Sequence, residues 1–189
     1  MISVINMFQV AVIFIQESRV SKKGSIKIPS YQIFEVVRED NDGGSILTAV
    51  HQSLNPVFIS GGEDDLEILV VQAEFGHAKC RFINAYGPQE TASRNTVIEF
   101  YSRLDQEIKN AKLSNCLLCL ELDANAKLGP HFIPGDPHET SSNGEWLKHI
   151  ILDNNLIICN ASDKCDGLFT RERVTVNGHE KSIIDVFLM

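Results

Sequence analysis

Three apolar runs of strand length end abruptly on polar side chains, and this pattern constrains the fold of the 189-residue chain more than any other. Ile13-Phe14-Ile15 runs into Gln16-Glu17, Asn84-Ala85 runs into Tyr86-Gly87-Pro88, and Leu117 to Leu122 runs into Asp123-Ala124-Asn125. A strand that is apolar at successive positions is covered on both faces, so these runs predict strands held between layers rather than an open, half-solvated sheet. With helical stretches interspersed, the expected class is α/β, a layered sandwich.

The third ending carries the most chemistry. In an extended strand residues two apart share a face, so Asp123 and Asn125 leave the strand end together. One is an acceptor carboxylate and the other a neutral amide. Such a pair can orient a water and stabilise developing negative charge. The competing reading is an Asx-type turn.

The length suits one domain with a sizeable core, and no repeat, low-complexity segment or linker divides it, so residues 1–189 read as a single domain. Hydrophobic residues at 43% and charged residues at 22% fit an ordinary soluble protein. No apolar run is long enough for a bilayer, so no membrane partner is expected. The opening MISVINMFQVAVIFIQ lacks a basic start and a small-residue cleavage site, and reads as buried strand rather than signal peptide. Five cysteines, an odd number mostly within apolar runs, favour reduced thiols and an intracellular setting, nucleus and cytoplasm not distinguished. Cys116-x-x-Cys119 resembles half a zinc site, but residues three apart on a strand face opposite sides, so both read as core. The net charge of −8 has the wrong sign for a nucleic-acid binder. Local clusters run against it: Arg19, Lys22, Lys23 and Lys27 after Glu17, and Arg171, Arg173 and Lys181 near the end. Fields act over a Debye length, roughly 8 Å in physiological salt, so such patches can act within an acidic protein, and they read equally as solvated loops.

Along the chain, Tyr31–Arg38 and Ser45–Val50 predict strands around the EDNDGG turn. Leu66–Glu74 and Lys79–Tyr86 predict a second pair around Phe75-Gly76-His77. A helix is expected over about Ser93–Lys112, with Val97, Tyr101, Leu104 and Ile108 at helical spacing and Ser93 or Thr91 as cap. The strand Cys116–Asp123, a long loop to Asn143, a helix over Glu145–Asn154 and a strand over Leu156–Asn160 follow. Leu168–Thr175 and Glu180–Leu188 predict a last hairpin over Asn177-Gly178.

With these residues in place, the chain resembles the endonuclease/exonuclease/phosphatase superfamily, and within it the endonuclease domains of non-LTR (LINE/RTE-type) retrotransposons. Five pieces in one order carry the resemblance: Gln16-Glu17, Tyr86 to Pro88, the Asp-x-Asn-Ala-x-Leu-Gly block from Asp123 to Gly129, Phe169-Thr170-Arg171, and Ser182-Ile183-Ile184-Asp185. It implies a four-layered, DNase I-like α/β sandwich, incomplete at both termini. It also implies a divalent-metal phosphodiesterase acting on DNA, in which the polar strand ends converge on one phosphoester. By that resemblance Glu17 is the ligand of Mg²⁺ (or Mn²⁺), since a hard cation binds carboxylate oxygen and keeps several waters. Tyr86 binds or polarises the scissile phosphate, Asp123 orients the attacking water, and Asn125 donates to the phosphate or to the metal's water shell. Thr170 and Arg171 hold the DNA backbone, and Asp185 supplies a remaining catalytic group. No obligate protein partner is implied.

The sequence departs from the family pattern in named places. Asn6 does not match the upstream Asn of the first strand. The closing Ser-Asp-His segment is absent, His179 at a predicted hairpin tip is a poor substitute, and His131 and His138 flank Asp136 in a loop. The expected activity is therefore weak or lost. Leu122 and Ala124 stand where the family has Gly and Phe. Glu121 shares the strand face of Asp123, where two carboxylates repel and one pKa should rise; it reads as relaxed selection rather than a further metal ligand. A catalytically silent, retrotransposon-derived binding module is the alternative, followed by a phosphomonoesterase or small-molecule phosphodiesterase of the same superfamily.

Overall fold

The computed structural model describes residues 10–19, 24–37, 45–162, 170–175 and 178–189; for Asp64 and for the strands at 171–175 and 178–182 the backbone alone is described. The strands are β1 (Val12–Ile15), β2 (Tyr31–Val36), β3 (Ile46–His51), β4 (Val57–Gly61), β5 (Ile68–Phe75), β6 (Ala78–Tyr86), β7 (Leu117–Asp123), β8 (Arg171–Thr175), β9 (Gly178–Ser182) and β10 (Asp185–Leu188). The helices are α1 (Arg94–Leu113) and α2 (Ser142–Asp153). The chain divides into two compact units, one formed by the residues through Tyr86 with Ala111–Cys119, the other by Gly87–Asn110 and the chain from Leu120 onward.

In the first unit β3 is the central strand of an antiparallel sheet ordered β1-β3-β2. Its residues alternate between two apolar clusters. Ile46 and Val50 pack with Phe34, Leu69, Val71 and Phe82, while Leu47 and Ala49 pack with Ile28. Burial on both faces explains why this strand reads as an apolar run interrupted only by Thr48 before His51 ends it. β4, β5 and β6 form antiparallel neighbours, with β5 and β6 joined over Gly76-His77 and Gln72 opposite Arg81. β4 was not foreseen from the sequence. Val57, Phe58 and Ile59 are exposed there, so the strand has no apolar alternation to reveal it.

In the second unit Ser93 caps α1, its Oγ accepting the Thr96 N–H at 3.2 Å. Val97, Tyr101, Leu104 and Ile108 are buried, as their spacing predicts. α2 starts at Ser142 rather than Glu145, because the Ser141 hydroxyl accepts the Gly144 N–H at 3.2 Å and caps it there. The rings of Tyr101 and Trp146 stack with centroids 6.4 Å apart, and Asn154 Nδ2 donates to Asp105 Oδ1 at 2.7 Å. Residues Leu120–Asp123 of β7 pair antiparallel with β10, burying Leu120, Leu122, Val186 and Leu188.

Two expected elements differ. The expected strand over Leu156–Asn160 is a short 3-10 turn, Cys159–Ala161, with a single bridge between Ile158 and Leu188. The Asn160 side chain takes over the ladder bonds there. Its Nδ2 donates to the Asp185 carbonyl at 2.9 Å and its Oδ1 accepts the Phe187 N–H at 3.0 Å. The expected arm Glu180–Leu188 is two strands, β9 pairing with β8 and β10 with β7. It breaks where the Ile184 and Asp185 N–H groups turn to the Thr170 hydroxyl. The turn residues 39–44, Asn6, Lys22, Lys23, Cys165, Phe169 and Asn177 lie outside the described residues. The side chains of Arg171, Arg173, His179 and Lys181 lie outside them too.

Candidate active site

In the first unit β1 ends on Gln16 and Glu17, and β6 ends on Tyr86. The Tyr86 hydroxyl donates to Glu17 Oε1 at 2.5 Å, so the phenol and the carboxylate form one hydrogen-bonded pair. Glu17 is exposed and sits at φ 47°, in the left-handed region that a non-glycine residue seldom adopts. Beneath the pair lies Asn84, fully buried on β6. Its Nδ2 donates to the Leu47 carbonyl at 2.8 Å and to Thr48 Oγ1 at 3.2 Å, and its Oδ1 accepts from Gln16 Nε2 at 2.8 Å. Asn84 thus ties the end of β1 to β3 and β6. Sequence reasoning gave it no separate role; the signal was a lone amide inside an otherwise apolar strand, which costs several kcal/mol to bury unless satisfied (about 2–7).

In the second unit Asp123 ends β7. Its Oδ1 accepts the Asn125 N–H at 3.1 Å, so the Asx turn is present. Asn125 has φ 44°, and its Nδ2 donates to the Gly87 carbonyl at 3.0 Å. The Gly87 N–H donates in return to the Asp123 carbonyl at 2.7 Å. This close approach requires glycine at 87, because a Cβ there would lie 2.7 Å from the Ala124 oxygen. The two residues are therefore fixed by a turn and a backbone clasp rather than by simple strand alternation. An amide NH₂ has two hydrogens, and one of them remains available to a substrate oxygen.

Asp185 lies directly opposite Asp123 in the β10–β7 register. Glu121 occupies the same face of β7 two residues earlier, with Leu120 and Leu122 buried on the other. Burial first, then the charges of Asp185 and Asp123, push the Glu121 carboxyl up to about 7. The Thr170 hydroxyl accepts the N–H of Ile184 at 3.0 Å and of Asp185 at 3.1 Å, so it shapes the entry to β10. Arg171 opens β8. The loop of His131 and His138 is organised by buried Asp136, which accepts the Gly129 N–H at 3.2 Å and the His138 N–H at 3.0 Å. That carboxylate serves loop structure. Among the described residues Cys116 and Cys119 form no disulfide; Cys116 Sγ lies 3.5 Å from Gln72 Oε1, and Cys119 packs on the core.

Among the described residues no three His, Cys, Asp or Glu side chains gather as a ready metal cage. Glu17 is an exposed oxygen donor beside a phenol, a donor set that suits a hard divalent cation keeping most of its waters.

No protein-family model and no curated protein matches the sequence. Solved structures do. The endonuclease domain of TRAS1, a telomere-specific non-LTR retrotransposon, superposes with a TM-score of 0.70 at 18% identity, over 99% of this chain and 76% of that one. The catalytic domain of Xenopus laevis APE2 gives 0.74 at 14% identity, over 98% and 76%. The AP endonuclease LMAP of Leishmania major gives 0.73 at 10% identity, over 98% and 71%.

Proposed function

The chain carries the fold of the endonuclease/exonuclease/phosphatase superfamily, and we propose that it hydrolyses phosphodiester bonds in DNA with a divalent metal, in the manner of a retrotransposon endonuclease. The observation that carries this reading is Asp123 and Asn125 clasped at the end of β7 with Asp185 opposite. Asp123 orients the attacking water and takes its proton, with Asp185 beside it as a further carboxylate. The free hydrogen of the Asn125 amide and the hydroxyl hydrogen of Thr170 are donors for phosphate oxygens. Arg171 meets the DNA backbone. Glu17 would hold Mg²⁺ or Mn²⁺, and the Tyr86 hydroxyl beside it would be a donor for a phosphate oxygen. When bound, the cation supplies Lewis-acid stabilisation of charge on a phosphoryl oxygen. The odd set of five cysteines supports an intracellular setting.

A second reading, a silent binding module, is favoured by Glu121 alone, which crowds a third carboxylate onto the face where a phosphate anion has to arrive. One experiment separates the two. Supercoiled plasmid is incubated with the protein and Mg²⁺, with Mn²⁺, and with chelator. Slow metal-dependent nicking that falls by 10²-fold or more in Asp123→Ala supports hydrolysis, the loss being on the order expected for a positioned acid/base group. Nicking that is absent with both metals, or equal in the variant, refutes it.

A further inference from the structure

The end strands of the two units are finished differently. In the second unit the Asn160 side chain bonds the Asp185 carbonyl and the Phe187 N–H of β10. In the first unit β4 pairs with β5 on one side, and among the described residues no strand pairs with it on the other. Such an edge offers a row of backbone N–H and C=O groups to an incoming chain. The side chains of β4 are apolar on both faces. Phe58 lies opposite Val71 and continues the face of that core residue, while Val57 lies opposite Gln72 and continues the other face. Val57, Phe58 and Ile59 are 54%, 50% and 38% exposed. Single apolar residues on a surface are ordinary. Three in succession on an open edge present apolar area that one added strand buries on both faces.

The same strand limits what can add to it. Pro56 precedes it and has no N–H, and the register shifts at a bulge between Phe58 and Ser60. The edge is therefore five residues long and bent. Its surroundings are acidic. The run Glu63–Asp65 follows the strand as a 3-10 turn, with Asp65 exposed. At the other end exposed Glu74 accepts from Asn55 Nδ2 at 3.2 Å. Lys79 faces Glu74 from β6, two strands away from the edge, and the segment 52–65 contains no Lys or Arg.

These features disfavour a second copy of the chain. Two-fold pairing of β4 with itself brings the acidic run of each copy to the Glu74 end of the other, in a protein of net charge −8. It also sets two bulges inside one short ladder. Five residues a side supply a fraction of the roughly 1,200–2,000 Å² that a stable interface buries. A flexible, basic chain meets every condition. It follows the bend, satisfies the backbone groups and brings cations to Asp65.

We propose that β4 is a docking edge for an extended peptide segment of a partner protein, added antiparallel. The segment carries alternating apolar residues over Val57–Ile59 and Lys or Arg at its N-terminal end, beside Asp65. This role does not depend on the hydrolytic reading.

The test uses a fluorescently labelled peptide of two lysines followed by alternating valine and threonine, and a matched peptide with two glutamates in place of the lysines. Anisotropy reads affinity, and hydrogen exchange reads amides 57–60. Wild type is expected to bind the basic peptide with slowed exchange at those amides, and the acidic peptide at least about tenfold more weakly. Phe58→Lys puts a charge on the edge at a half-exposed position. It is expected to weaken binding about tenfold or more at an unchanged urea midpoint. Asp65→Asn retains a residue type that tolerates the local φ of 58°. It is expected to weaken binding about threefold and to flatten its salt dependence. Absence of binding, equal binding of the two peptides, or binding that leaves exchange at 57–60 unchanged overturns the proposal. So does unaltered affinity in Phe58→Lys or unaltered salt dependence in Asp65→Asn. Sedimentation covers the other occupant: a concentration-dependent dimer that Phe58→Lys disperses assigns the edge to a second copy and likewise overturns the proposal.

Discussion

Asp185 faces Asp123 across the β10–β7 ladder, and Glu121 shares their face. Like charges opposite one another in a sheet are destabilising, and a partly buried third carboxylate adds to the repulsion. The system relieves it by keeping a proton on Glu121, whose carboxyl is pushed from 4.5 up to about 7 by burial and by Asp185 and Asp123. A raised folded-state pKa means that the native chain binds more protons than the unfolded chain between about pH 4.5 and 7. Stability therefore falls as pH rises through that window and stays lower above it. The shift corresponds to at most about 3 kcal/mol. Glu121→Gln should accordingly be more stable than wild type at pH 8, with the advantage shrinking toward pH 5. Urea unfolding at four pH values between 5 and 8 checks this, and an advantage independent of pH counts against the assigned proton.

The clasp between Gly87 and the Asp123–Ala124 peptide makes a second demand. Gly87→Ala places a methyl 2.7 Å from the Ala124 oxygen and 3.2 Å from the Asp123 oxygen, both of them backbone atoms that no side-chain rotation can clear. The strain should cost about 1–3 kcal/mol, as overpacking does. It should also displace Asp123 and reduce nicking, since a misplacement near 1 Å is costly to a positioned group. Denaturation midpoint and nicking rate should fall together.

Thr170 separates a structural from a substrate role. Its Oγ accepts two backbone N–H groups at the entry to β10. Thr170→Val removes that acceptor and should lower stability by about 1 kcal/mol, the typical worth of such a bond. Thr170→Ser retains it. If stability is unchanged in Thr170→Val while oligonucleotide binding weakens, the hydroxyl belongs to the substrate instead.

How much of this could be read in the sequence follows from where burial is one-sided. The ends of β1, β6 and β7 were legible, because near-continuous apolar runs such as Val12 to Ile15, and Phe82 to Ala85 with its single amide Asn84, announce strands, and the polar residue that stops each run is conspicuous. The Asp123–Asn125 pair was legible as a motif. Its geometry was not, since the Asx turn and the Gly87 clasp depend on contacts between distant segments. The crowding of Glu121 was visible from strand alternation, whereas Asp185 opposite Asp123 required the β10 register. Asn160 was read as strand because no local signal shows a side-chain amide replacing ladder bonds. Exposed β4 lacked any pattern to read.

Glu17 and Tyr86 bring a prediction about the cation. Anything that binds only the folded state raises its stability by mass action; at ten times its dissociation constant the gain is about 1.4 kcal/mol, or about 3–5 °C for a domain of this size. Thermal unfolding of wild type should shift upward by that amount as Mg²⁺ rises into the millimolar range. Glu17→Gln keeps a hydrogen-bond acceptor for Tyr86 but loses the charge, and should abolish the shift. A wild type indifferent to Mg²⁺ and Mn²⁺ removes the case for a cation at Glu17.

Tyr101 offers a prediction in the opposite direction, toward greater stability. Its ring is packed against Phe100 and stacked on Trp146, and the residue is 2% exposed, yet among the described residues its hydroxyl has no hydrogen-bond partner. A buried donor left unsatisfied costs about 1–3 kcal/mol. Burial raises the phenol's pKa strongly and the charge of Glu90 adds to it, so the group stays neutral and the cost is that of a dipole, not a charge. Tyr101→Phe keeps the ring and both aromatic contacts while removing the oxygen. It should leave the fold unchanged and raise the urea midpoint, by about 1 kcal/mol once part of the penalty is offset by local relaxation. A loss of stability in Tyr101→Phe would show that the hydroxyl is satisfied in solution, by a bridging water between it and Glu90.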